Sequence, residues 1–294
     1  EAEHMIDLEG WKRFLDETKI EQSVVYPTAG LASGLIQSPE WACAISRGYN
    51  NWLYDRYLKS EPRLRGVALL PVQDPAAAAT ELEYAVTRQG MVAGLLPAVT
   101  ILNKGYGHDD FHPIYAAAQG MDIPLVVHGA PSRGLGFDFF NTFVKVHALE
   151  HPVAIMIQLT SMVMDGVFEL FPTLRVGYLE AGCGWMPYMM DRLDYEYEAI
   201  WGRPGAPLLK RKPSEYLKGG NVYVTCELEE ESLTYVLERM GTDTVMYPSD
   251  FPHERAWSEF SRDVPAFLDR EDVSDQAKRK VLRDNAQRFY RLKA

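Results

Sequence analysis

Cysteine is scarce in this sequence, with Cys43, Cys183 and Cys226 the 3 present in 294 residues. The number is odd and no CxxC spacing occurs, which argues against a disulfide framework or a cysteine zinc site. A reducing, cytoplasmic setting is the default expectation. No uncharged apolar run approaches the roughly 18 residues that a membrane span needs. The opening residues "EAEHMIDLEG" lack the basic-then-apolar order of a signal peptide. Basic residues are outnumbered, 30 Lys and Arg against 41 Asp and Glu, and the net charge is -11. That balance argues against nucleic acid or an anionic membrane surface as a partner, since both need a basic footprint. No GxGxxG follows a strand candidate and no Walker A sequence occurs, so the nucleotide-binding folds lose weight. Linkers, low-complexity segments and internal repeats are missing too, so one domain over 1–294 is the simplest count.

What is present is apolar bulk, 47% of the residues against 24% charged, enough for a large α/β core. Short apolar runs occur at Ser23–Tyr26, Gly66–Leu70, Val92–Leu96, Leu125–Val127, Arg175–Leu179, Val222–Thr225 and Thr244–Tyr247. They are continuous rather than alternating, as parallel strands covered on both faces should be. Helical stretches separate them. "LEGWKRFLDETKI" puts Trp11, Leu15 and Ile20 near one face, and an alanine-rich stretch closes on Gly90, a C-cap candidate. Pro113 suits a first helical position, and Ser274 suits the N-cap of a long final helix. Repeated strand–helix units predict a parallel sheet, and polar groups at several strand ends favour a (β/α)8 barrel over an open sheet. The chain opens on a helix candidate, so the strand missing from the eight is the first.

Three of the runs end in a group that can bind a metal or move a proton. His128 follows Leu125–Val127, Glu180 follows Val176–Leu179, and Asp250 follows the run at Thr244–Tyr247. In a barrel these ends converge, and an imidazole with two carboxylates suits Zn²⁺, Mn²⁺ or Fe²⁺. Each also has a plain structural role open to it: a satisfied histidine, a solvated glutamate, an aspartate that starts a turn. His253 follows Pro252 on the next loop. Glu227, after Cys226, could reach the rim. His147 and His151 lie four apart on a helix, a metal-sharing distance, but "ALE" between them lacks the HExxH pattern and suggests a partly exposed face. His112 marks a helix start, and His4 and His108 read as surface.

The blocks "PLVVHG", "DGVFELFPTLRVGYLEAGCGWMPYMMDRLD" and "YPSDFPHE" resemble the amidohydrolase-related metalloenzymes. This is the branch of the amidohydrolase superfamily that includes aminocarboxymuconate semialdehyde decarboxylase and the resorcylate decarboxylases. The resemblance covers nearly the whole chain. It implies a distorted TIM (β/α)8 barrel with a metal at the strand C-termini, in which His128 and Asp250 match metal ligands. Glu180 falls where the decarboxylases have a histidine, as in a subgroup carrying "EAGCGW". The family's HxH or ExH pair on the first strand has no match here, and His4 does not supply it. A weakly held divalent metal ion is therefore expected.

The expected activity is metal-dependent hydrolysis of a small amide, lactone or related carbonyl compound, with His128 and Asp250 on the metal and Glu180 as catalytic base or further ligand. Non-oxidative decarboxylation of an aromatic or unsaturated acid is the alternative, with the departure at Glu180 weighing against it. A dinuclear-metal oxygenase and a non-catalytic barrel subunit are further rivals. Trp41, Tyr49, Trp52 and Tyr195 are candidates for a subunit interface, and the resemblance implies a homodimer or higher homo-oligomer.

Overall fold

All seven expected strands are present in the computed structural model, which describes residues 6–129, 134–199, 209–253 and 257–293. They are β1 (Ser23–Val25), β2 (Leu64–Leu69), β3 (Ala93–Pro97), β4 (Leu125–His128), β5 (Val176–Leu179), β6 (Val222–Thr225) and β7 (Val245–Met246). They form one sheet in chain order, β1 to β7, with every neighbouring pair parallel. Strictly sequential parallel order is the topology of a βα barrel, and the sheet curls as a barrel does. Among the described residues it has one strand fewer than eight.

The helices cover the outer face. The first is α1 (Leu8–Thr18), followed by α2 (Pro39–Leu53), α3 (Pro75–Gln89), α4 (His112–Gly120) and the long α5 (Phe143–Met164). Then come α6 (Val167–Leu170), α7 (Met186–Ala199), α8 (Pro213–Leu217), α9 (Leu233–Met240) and α10 (Trp257–Leu268). The chain's last helical segment is α11 (Asp275–Arg279), a π turn at Lys280–Asp284 and α12 (Asn285–Tyr290). Local chemistry sets their ends. Ser38, Asp74 and Ser274 cap α2, α3 and α11 by accepting from the backbone N–H three residues on, and α3 stops at left-handed Gly90. Among the described residues no helix is long and apolar enough to cross a membrane.

Strands β3 to β7 are buried on both faces, which is why their sequences run apolar without alternation. Alternate strand positions feed two clusters. Ala68, Leu96, Val127, Val176, Tyr178, Val222 and Val245 pack outward against the helices. Val67, Leu69, Leu95, Val126, Leu179, Tyr223 and Met246 point the other way, where Phe289 and Tyr290 from α12 join them. Burial of this kind contributes about 25 cal/mol per Å² of apolar surface.

The two ends of the sheet are tied by side chains. The Tyr26 and Tyr290 hydroxyls form a hydrogen bond, and Thr28 Oγ1 lies 3.1 Å from His253 Nε2. Helix α1 seats the loop after β7, with Phe14 stacked on Phe251 at 3.8 Å between ring centroids and Trp11 edge-on at 5.1 Å.

Candidate active site

The site sits at the C-terminal ends of the strands. His128 is the last residue of β4 and Glu180 directly follows β5. The Glu180 N–H donates to Thr225 Oγ1, at the end of β6, over 3.0 Å. Glu180 and Asp250 are both left-handed without being glycine, at φ +64° and +52°. That conformation costs a side-chain-bearing residue on the order of 1 kcal/mol or more, and such strain clusters at functional sites. The Phe251–Pro252 peptide after Asp250 is cis.

Glu180 Oε2 lies 2.9 Å from His128 Nε2 and 3.6 Å from His151 Nε2, so one carboxylate oxygen serves two imidazoles. The other nitrogen of His128, Nδ1, is 2.8 Å from the Gly129 carbonyl. A carbonyl only accepts, so Nδ1 carries the hydrogen and Nε2 is the nitrogen left to bind a proton or a metal. Tyr26 lies against the His128 ring, 5.6 Å between centroids.

The electrostatics follow from these contacts. Burial pulls the His128 pKa down, but the hydrogen bond and charge of Glu180, the Gly129 carbonyl and the charge of Asp250 outweigh it and hold it above its ordinary value. Burial works against the Glu180 carboxylate too, yet the His128 hydrogen bond and the charges of His128, His151 and His253 bring it down to about 2. His151 is lowered, chiefly by burial, with Glu180 opposing.

His128, Glu180 and Asp250 thus come from three strand ends, and Asp250 lies near enough for His128 to feel its charge. His253 is half-buried, its N–H donating to the Asp250 carbonyl over 2.8 Å. Glu227 is exposed, and its N–H donates to Glu230 Oε1. Cys226 is buried in the core. His108 is exposed and His112 opens α4; His4 lies outside the described residues. Both α5 histidines are partly buried, and the His151 side chain, 11% exposed, is turned to Glu180.

Glu230 is a residue that sequence reasoning missed. It accepts from the backbone N–H of Cys183, Gly184 and Glu227, at 3.0, 3.0 and 2.7 Å, and so clamps the loop after β5 to the loop after β6. Gly182, at φ +60°, allows the approach: a Cβ there would lie 3.0 Å from Glu230 Oε1. The run of acids around Glu230 hides it. Tyr26 and Thr28 were missed as well, though the run containing Tyr26 was read as a strand.

His128 Nε2 and the Glu180 carboxylate are donors of the kind a divalent metal ion takes, and Asp250 is near enough for its charge to reach His128. A curled parallel sheet with imidazoles and carboxylates on the rim formed by its strand C-termini is the arrangement of a barrel enzyme. The chain belongs to the amidohydrolase family, whose model matches residues 18–292.

It is 26% identical over 300 residues to gamma-resorcylate decarboxylase of Polaromonas sp. (strain JS666), covering 95% of this chain and 86% of that one. The corresponding enzyme of Rhodococcus jostii is 25% identical over 303 residues, covering 95% and 86%. Among solved structures, dihydroxybenzoic acid decarboxylase from Polaromonas sp. JS666, with bound manganese and the inhibitor 2-nitroresorcinol, superposes with a TM-score of 0.81. Identity there is 24%, over 99% of this chain and 89% of that one.

These relatives are named for decarboxylation, which overturns the hydrolysis expected from the sequence and favours the alternative. The sequence argument against decarboxylation was the carboxylate at Glu180 in place of a histidine. The structure places the His151 imidazole of α5 3.6 Å from that carboxylate.

Proposed function

We propose that this protein is a metal-dependent, non-oxidative decarboxylase of a phenolic or related aromatic carboxylic acid. The observation that carries the reading is the Glu180 carboxylate held between His128 and His151 at the strand rim. The likeness to resorcylate decarboxylases over 95% of the chain supports it. In this reading His128 and Asp250 hold the metal, with Glu180 a further donor within reach. Two firm ligands are fewer than the three that catalytic sites usually supply, so the ion is held weakly by these residues alone. Bound there, a divalent ion supplies a positive charge that orients an anionic carboxylate and polarises its oxygens.

The reaction takes an aromatic carboxylate and one proton to an arene and CO₂. The proton must reach the ring carbon as the carbon–carbon bond breaks. With His128 Nε2 committed to a metal, His151 would be the imidazole left beside Glu180. The Glu180–His151 pair is the acid–base group, because it can take a proton from solvent and deliver it at the rim. Tyr26 closes one side of the His128 ring and keeps water from it.

The test is CO₂ release from a panel of ortho-hydroxybenzoates by the purified chain, with and without added Mn²⁺. Manganese-dependent release from at least one member is the expected result. A chain that binds Mn²⁺ yet releases no CO₂ from any of them would sink the reading.

A further inference from the structure

Helix α5 carries a second group of metal-type donors. His147, Glu150 and His151 occupy positions i, i+3 and i+4, which share one helix face. Read along the chain they spell H-x-x-E-H, the reverse of the HExxH order and itself a zinc-binding spacing. Their ligand atoms all lie within 4.8 Å of one another. The two imidazole rings are 5.0 Å apart, and His147 is stacked on Phe143 at 4.9 Å.

The second observation concerns Glu150. It is 8% exposed, and its carboxylate offers an oxygen within 4.8 Å of a nitrogen on each imidazole. A buried carboxylate is costly unless it is paired, hydrogen-bonded or bound to a metal. Both neighbouring groups are imidazoles, the commonest nitrogen ligands of zinc.

We propose that His147, Glu150 and His151 form a second divalent-metal site on the first turns of α5, suited to zinc. Two imidazole nitrogens and one carboxylate oxygen match a zinc ion and disfavour Mg²⁺ or Ca²⁺, which take oxygen ligands. The helix fixes the three backbone positions, so side-chain rotation alone closes the donors around one ion. Glu180 Oε2 lies 3.6 Å from His151 Nε2, so the zinc would take the other ring nitrogen, Nδ1, and leave Nε2 to Glu180. The proposal does not rest on the decarboxylase reading.

The experiment uses the full chain, stripped with a chelator, reloaded with Zn²⁺, desalted and assayed for zinc per chain. Wild type is compared with His147→Gln, Glu150→Gln, Asp250→Ala and the His147→Gln/Asp250→Ala double variant. Visible absorption after Co²⁺ loading gives a second readout of tetrahedral binding. The expected result is that Asp250→Ala keeps one ion per chain and that His147→Gln and Glu150→Gln each lose that ion together with its cobalt bands. The double variant holds none. Unchanged zinc content and cobalt bands in both His147→Gln and Glu150→Gln would overturn the proposal. Glu150→Gln preserves side-chain size, so its circular dichroism and melting should match wild type and the comparison stands if another variant misfolds. A wild type that holds a single ion, lost in His147→Gln and kept in Asp250→Ala, would uphold this site while removing the one proposed at His128.

Discussion

Gly129 and His151 touch so closely that a Cβ built on Gly129 would lie 1.8 Å from His151 Cδ2. The missing side chain after β4 is what lets the α5 imidazole reach Glu180. Gly129→Ala must therefore push the ring or the strand end away. We expect a loss of about 1–3 kcal/mol, the usual cost of overpacking, read as a lower urea midpoint. CO₂ release should fall at least about tenfold, because the acid–base pair is separated. Unchanged stability with unchanged turnover would show that His151 is not held by this contact.

Glu180→Gln removes the charge shared by His128 and His151 while keeping the side chain's size. Turnover should drop by about 10²–10⁴, the range for a lost acid–base group, with the far-ultraviolet circular dichroism intact. Turnover within threefold of wild type would rule Glu180 out as the proton carrier.

Glu230→Ala leaves the N–H groups of Cys183, Gly184 and Glu227 without their acceptor. Hydrogen bonds to a charged acceptor are each worth about 1.5–3 kcal/mol and do not add simply. A loss of at least about 2 kcal/mol is expected, with faster amide exchange in the two loops that Glu230 clamps. Protection equal to wild type at Cys183 and Gly184 would refute the clamp.

The acid side of the stability profile has a named contributor. The Arg175 hydrogen bond, with help from Arg291, holds the Asp122 carboxyl below its ordinary value of 3.8. A depressed folded-state pKa means stability that is fully present above pH 3.8 and lost as pH falls through the folded value. Asp122 is half exposed, so solvent screening keeps the effect small. Melting temperature followed from pH 6 to 2 should fall less steeply in Asp122→Asn than in wild type, and parallel curves would dismiss the pair as a contributor.

Trp41, Trp52 and Tyr195 are 67%, 39% and 64% exposed, while Tyr49 is half-buried. Large aromatic groups left open suit a subunit interface, and we expect a homodimer by light scattering at micromolar concentration. Trp41→Ser should shift it toward monomer. A monomeric wild type would assign these rings to the surface.

Most of the fold could be read from composition along the chain, because burial on both faces writes each strand as an unbroken apolar run. The ends were less legible. β7 is only Val245–Met246, since the Tyr247 N–H turns away to the Val281 carbonyl. The last helix contains a π turn that no periodicity announced. His128 and Glu180 were legible because a polar residue at the end of an apolar run stands out. His151 was not: spacing along a helix says which residues share a face, but not which turn meets the rim. That information sits in Gly129, whose role appears only once β4 and α5 are packed. Glu230 was hidden among Glu227, Glu229 and Glu231, where only the loop conformation separates one acid from its neighbours.

The hydroxyl bridge between Tyr26 and Tyr290 joins residues 264 positions apart, whereas every strand pairing joins neighbours in the chain. In kinetic terms the sheet can zip strand by strand, while tying its two ends together closes a loop nearly as long as the chain. The Thr28–His253 contact lies on the same seam. The step that completes the rim is then the last to form and the first to open. In mild denaturant, activity should vanish while nearly all the helical signal remains.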